Sequence, residues 1–102
     1  MNSFTIQCDD RLDFKFKGKR LGSVSSSHNI TTGRWTELGL YRTTGGKYVC
    51  SEIGGSTWPD SPTTHRGAIC ETPEQVIEFF GYGVLAKELY EMAGIEAAVV
   101  VS

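Results

Sequence analysis

The four residues Thr72-Pro73-Glu74-Gln75 divide the chain into two kinds of pattern, and nothing else in it constrains the fold as strongly. At such a junction the threonine hydroxyl accepts from the amide of Gln75, and the Gln75 side chain reaches back to the amide of Thr72. Proline suits the first helical position because the amide it lacks would be unpaired there anyway. Glu74 complements the positive end of the helix. A helix is therefore predicted from Pro73, with Val76, Ile77 and Phe80 as its apolar stripe and Gly81 as its stop. A second helix follows from Tyr82 or Gly83 to Ala93. Tyr82, Leu85, Ala86, Leu89 and Ala93 line its inner side, and Lys87, Glu88 and Glu91 face water. Gly94 caps it, and Ile95 folds back on the last turn.

Before Thr72 the periodicity is that of strands. Leu12, Phe14 and Phe16 alternate with Asp13, Lys15 and Lys17, the period of a half-buried strand with a charged outer face. Gly18-Lys19 reads either as a two-residue hairpin loop with Arg20–Ser25 returning, or as a bulge in one longer strand. The polar stretch from Ser25 to Gly33 reads as a loop. Arg34–Thr43 and Lys47–Ile53 form a hairpin about Thr44-Gly45-Gly46, where glycine permits a tight turn. Gly54 to Pro62 reads as a loop, since its prolines exclude a central strand. His65–Glu71 is a further short strand, and the valines of Ala97–Val101 favour a last one.

This order implies an α+β fold: an antiparallel sheet of about four or five strands with two C-terminal helices packed on one face. A chain of 102 residues makes one domain, 1–102, long enough for a core of its own. The expected core is Leu12, Phe14, Phe16, Leu38, Leu40, Val49, Ile69, Val76, Ile77, Phe80, Leu85 and Leu89. No apolar run reaches the roughly 18 residues of a membrane span, so no membrane is expected. Met1-Asn2-Ser3-Phe4 lacks the basic and apolar regions of a signal peptide. Three cysteines without a C-x-x-C fit a reducing compartment, so the expected location is cytoplasmic.

Charge is divided too, near the middle of the chain. Residues 1–50 carry eight Lys/Arg against four Asp/Glu, a net of +4, and residues 51–102 carry two against eight, a net of −6. The overall charge of −2 thus hides a polar molecule, suited to meeting a charged partner.

Four groups of residues are candidates for function. Glu74, Glu78, Glu88 and Glu91 make the helical end acidic; Glu74 and Glu78 are like-charged i, i+4 neighbours that oppose the helix slightly. Such a face imitates nucleic-acid phosphates or docks on a basic protein surface, although solubilising helix faces look the same. Lys15, Lys17 and Lys19, with Arg20 and Arg11 nearby, form a basic strand. Its lysines repeat at about 7 Å, close to phosphate spacing. Phe14 and Phe16 fall on the opposite side, whereas Trp35 and Tyr41 are available to stack with bases. Lysines guarding an edge strand would look alike. Trp58, in the Gly54–Pro62 loop, is a possible binding anchor or a plug over one end of the sheet. Cys50, Cys70 and His65 would meet if their strands pair, but they match no metal spacing, and buried structural cysteines explain them more simply. No metal, cofactor or catalytic residue is assigned, and no G-x-S-x-G, H-E-x-x-H or dinucleotide fingerprint occurs.

The stretch Arg34-Trp35-Thr36-Glu37, Leu40-Tyr41-Arg42-Thr43 and Gly45-Gly46-Lys47-Tyr48-Val49, followed by Thr72-Pro73-Glu74, Phe79-Phe80-Gly81 and Leu85-Ala86-Lys87-Glu88-Leu89-Tyr90, resembles small accessory proteins of bacterial mobile elements. It covers about half the chain. The resemblance implies a setting, in which small acidic proteins inhibit host defence as anti-CRISPR proteins do, and it carries no functional residue with it.

The expected function is that of a non-enzymatic protein that binds and modulates a nucleic-acid-handling complex. Glu74, Glu78, Glu88 and Glu91 would meet a basic surface, with Trp58 as anchor. The alternatives are direct nucleic-acid binding through Lys15, Lys17, Lys19 and Arg20, and a small cysteine- or zinc-dependent enzyme. A homodimer through Ala97–Val101 is also open, if that segment is an edge strand.

Overall fold

Strand-patterned residues up to Cys70 and helix-patterned residues after Thr72 build two layers in the computed structural model, which describes residues 2–26, 34–56 and 63–95. The strands are β1 (Asn2–Ile6), β2 (Phe14–Ser25), β3 (Arg34–Thr43), β4 (Tyr48–Ser56) and β5 (Thr64–Cys70). They form one antiparallel sheet in sequential order, β1-β2-β3-β4-β5. Helices α1 (Pro73–Phe80) and α2 (Val84–Ala93) follow. The architecture is α+β, with the helices on one face of the sheet. Trp58 and the segment 96–102 that includes Ala97–Val101 lie outside the described residues, as does most of the loop from Ser25 to Gly33.

The helix boundaries follow their caps. Gln75 donates its amide to the Thr72 hydroxyl at 3.3 Å. The Gln75 side chain accepts from the amide of Glu71 at 2.7 Å, one residue earlier than the reciprocal box predicts. Gly81 ends α1 at φ 82°. Gly94 ends α2 in the left-handed region, and the Ile95 amide donates to the Tyr90 carbonyl at 2.9 Å. The fold-back expected of Ile95 is therefore present, and its side chain packs on the core.

Between the layers lie Leu38, Leu40, Cys50, Cys70, Val76, Ala86, Leu89 and Tyr90, all buried. Helix α2 comes close to β2 at Gly22, where a Cβ would stand 2.9 Å from Met92 Sδ and 3.3 Å from Leu89 Cδ1. Tyr90 is buried to 1% exposure, and its hydroxyl donates to the Gly81 carbonyl at 2.7 Å, tying α2 to the end of α1.

A bulge sets which residues of β2 face the helices. The register shifts between Arg20 and Gly22, so β2 is one long strand irregular at Leu21, not a hairpin at Gly18-Lys19. Before the bulge, Phe16 and Arg20 share the face of Tyr41, away from the helices. After it, Gly22 and Val24 pair with Leu40 and Leu38 and face the helices, which turns Ser23 and Ser25 to the far side.

That far side is concave and closed at one end. The connection after β1 crosses to β5, where the Asp9 amide donates to the His65 carbonyl at 3.1 Å and Asp9 Oδ2 accepts from the His65 amide at 2.7 Å. Asp9 thus pairs the free edge of β5. Gly67 makes room for this crossing, since a Cβ there would stand 2.9 Å from Cys8 Sγ and 3.1 Å from Phe14 Cε2. Phe4, Phe16 and Tyr41 fill the neighbouring part, with ring centroids 4.9 to 5.6 Å apart.

Several sequence expectations are corrected. Asn2–Ile6 forms β1 although it offers only two apolar positions, Phe4 and Ile6, too few for a strand pattern in the sequence. Leu12 is 89% exposed, at the crossing after β1, and Ile69 is 54% exposed on β5; neither belongs to the core. Tyr82 precedes α2 and is 72% exposed, so it does not line that helix's inner side. Gly54 and Gly55 belong to β4 rather than to a loop, and the Trp35 ring lies over Gly55 in the place of a side chain.

Candidate functional site

Both helices present their acids outward. In α1, Val76 is buried while Glu74 and Glu78 are exposed; in α2, Ala86, Leu89 and Tyr90 are buried while Glu88 and Glu91 are exposed. The 3.6-residue period separates these sets on each helix. Among the described residues, none of the four glutamates takes part in an ion pair. Arg66 is not available to them: it donates to Glu52 at 3.1 Å and lies over the Phe79 ring at 5.0 Å. Lys87 is the one cation within the two helices. Tyr82, Val84 and Met92 stand in the same layer, 72%, 78% and 57% exposed. The helical layer is therefore an acidic surface with apolar side chains set into it.

The lysines form a second surface. Lys15, Lys17 and Lys19 project on the helix side of the sheet, opposite Phe14 and Phe16, and all three are exposed. Their strand neighbours are Thr5, Ser3 and Arg42. Arg20, grouped with them from the sequence, projects to the concave side beside Tyr41. Trp35 and Tyr41 also face the concave side, so they are not placed to stack with bases bound to the lysines. Among the described strand residues the aromatic one on the lysine side is Tyr48, and the Arg42 guanidinium already covers it at 5.1 Å from the ring centroid. Alternation along β2 reveals the lysine row and sets Arg20 on the other side of it, but the side on which Trp35 and Tyr41 lie depends on strand register.

The cysteine group is divided by the same alternation. Cys50 Sγ and Cys70 Sγ lie 3.8 Å apart under the helices, whereas His65 is an odd number of residues from Cys70 on β5 and faces the concave side. The His65 Nδ1 is 3.3 Å from Asp9 Oδ1, without the alignment of a hydrogen bond. Burial pushes both thiols up from their ordinary 9.0, so neither is a thiolate at neutral pH. Among the described residues no three His, Cys, Asp or Glu side chains gather as a metal would require. Among the described residues, too, no helix is long and apolar enough to cross a membrane.

Burial also sets a pH dependence. It pushes the Tyr90 phenol from 10.0 up to about 12, with the charges of Cys50 and Tyr82 acting in the same direction. The unfolded chain releases thiol and phenol protons from about pH 9 to 10, while the folded chain retains them. These groups therefore contribute stability that is full below about pH 9 and falls as pH rises towards 12. Urea midpoints should be lower at about pH 10.5 than at pH 8. An equal or higher midpoint at the alkaline value would contradict this burial.

No protein-family model, curated protein or solved structure matches the chain.

Proposed function

We propose that this chain is a non-enzymatic binding protein that modulates, by inhibition, a bacterial nucleic-acid-handling complex of the kind used in defence. Its acidic helical layer docks on a basic protein surface. The observation that carries this reading is the combination on α1 and α2: Glu74, Glu78, Glu88 and Glu91 are exposed without ion-pair partners among the described residues, beside exposed Tyr82, Val84 and Met92. Unpaired like charges raise the energy of the free protein slightly and are relieved by a cationic partner. Apolar side chains among them supply the area that charge alone does not. Inhibition of a defence complex rests on the resemblance to accessory proteins of mobile elements.

Reversing two of the charges tests the reading. Glu74→Lys with Glu78→Lys leaves the buried side of α1 intact; a lysine at the positive end of the helix costs about 0.5–1 kcal/mol, and circular dichroism should show the fold retained. Association with the protein partner, measured by calorimetry at low salt, should weaken about tenfold or more. Binding indifferent to the reversal would remove the acidic layer from the account.

A second reading is favoured by the common orientation of Lys15, Lys17 and Lys19, with Arg42 opposite Lys19. In it the basic row tracks a nucleic-acid backbone, and affinity for a single-stranded oligonucleotide falls steeply with salt. Absence of binding at low salt would end it.

A further inference from the structure

Strand β1 is one edge of the sheet, and its outer side has no partner among the described residues. The other edge differs, since Asp9 meets both backbone groups of His65 on β5. Which groups of β1 point outward follows from β2. The Lys17 carbonyl accepts from the Thr44 amide at 2.9 Å, so the backbone groups of Lys17 turn towards β3. In an antiparallel sheet these groups alternate from side to side along each strand. Phe16 and Gly18 therefore bond to Phe4 and Asn2, whereas Ser3 and Thr5, opposite Lys17 and Lys15, direct their amides and carbonyls away from the sheet. The pairing of β1 is regular from Asn2 to Ile6, with no bulge, proline or charged residue of the kind that blunts an edge.

The two sides of this edge differ in chemistry. An open groove of about 410 Å³ lies here, lined by Ser3, Phe4, Thr5, Lys15, Phe16 and Lys17. On the helix side Ser3 and Thr5 are short, so the exposed Lys15 and Lys17 can extend over them. A strand added beside β1 would stand two strand spacings from β2, about 10 Å, within joint reach of a lysine and a glutamate. Neither lysine forms an ion pair among the described residues. On the concave side the half-buried Phe4 lies 5.5 Å from Phe16 and 4.9 Å from Tyr41, between ring centroids. The added strand would thus set every second side chain near an ammonium group and the one between against Phe4. A second copy of β1 does not match, because it brings no acid to the lysines.

We infer that the free edge of β1 takes up an extended peptide segment of a partner protein in which acidic and apolar residues alternate. Ser3 and Thr5 supply the backbone hydrogen bonds, and Lys15, Lys17 and Phe4 select the side chains. The site shares no residue with the acidic helical layer and goes beyond the docking proposed for that layer.

The probe is the peptide Glu-Val-Glu-Val-Glu, acetylated and amidated at its ends. Added to the protein, it should slow hydrogen exchange at the Ser3 and Thr5 amides and leave Phe4, already bonded to β2, unchanged. Lys15→Glu with Lys17→Glu changes two exposed residues and should weaken binding about tenfold or more while the remaining amide spectrum stays in place. Methylating the peptide's glutamate amides keeps every charge but removes the donors that face β1, and should abolish the protection. Ser3 and Thr5 amides left unprotected at millimolar peptide would overturn the assignment. So would equal binding of the methylated peptide, which would leave charge alone at work, as on a nucleic-acid backbone.

Discussion

Replacing Leu89 by alanine should lower the unfolding free energy by about 3–4 kcal/mol. Leu89 is completely buried, between the helices and the sheet. Its Cδ1 lies 3.3 Å from the point a Gly22 Cβ would occupy, so it fits the place where α2 comes nearest to β2. Truncation removes transfer free energy and leaves a cavity walled by strands that cannot close in on it. For a domain of this size the melting temperature should fall by more than about 10 °C. Replacing the neighbouring exposed Glu88 by alanine should shift it by no more than a few degrees. Similar small shifts for both would mean that α2 is not seated on the sheet through Leu89.

Gly18→Ala should be nearly as damaging, by about 3 kcal/mol, for a different reason. Gly18 is paired on both sides, with Asn2 of β1 and Thr43 of β3. A methyl group there would fall on the Arg42 carbonyl oxygen and stand 2.9 Å from both the Arg42 carbonyl carbon and Thr43 Cα. These are backbone atoms of a paired strand and cannot rotate aside. Gly22→Ala is the control, since its new methyl would meet the end of the flexible Met92 side chain. Gly22→Ala should therefore cost much less than Gly18→Ala in urea denaturation. Equal costs would contradict the close pairing of β2 with β3.

The sequence specifies the parts of this fold that depend on local chemistry. Thr72, Pro73 and Gln75 locate the start of α1 because a helix cap is made by residues near one another in the chain. The bounds of β3, Arg34–Thr43, are legible because aromatic, β-branched and leucine residues recur along it up to a glycine turn. The acids of the helical layer are legible too, since helical period alone turns Glu74, Glu78, Glu88 and Glu91 outward. What depends on partners across the sheet is not. The bulge after Arg20 shows only in the pairing of β2 with β3, and it turns Ser23 and Ser25, which period two alone would place with the lysines, to the side of Arg20 and Tyr41. Glycines 54 and 55 read as loop residues until the Trp35 ring is seen over Gly55. Leu12 reads as core by alternation, yet the crossing to β5 carries it into water, because Asp9, Cys8 and Phe14 make that closure instead.

The central claim is that the acidic helical layer is the partner-binding surface. Affinity capture from nuclease-treated bacterial lysate tests it most directly, at low salt and at about 0.5 M salt, where exposed charges are screened. Three baits are needed: the wild type, a variant with Glu74, Glu78, Glu88 and Glu91 changed to lysine, and a variant with Lys15, Lys17 and Lys19 changed to glutamate. The account predicts a basic protein or complex held by the wild type and the lysine-row variant at low salt, released at high salt, and lost from the glutamate variant. Capture that survives reversal of the glutamates but is lost with the lysines would contradict it and assign binding to the basic row of β2.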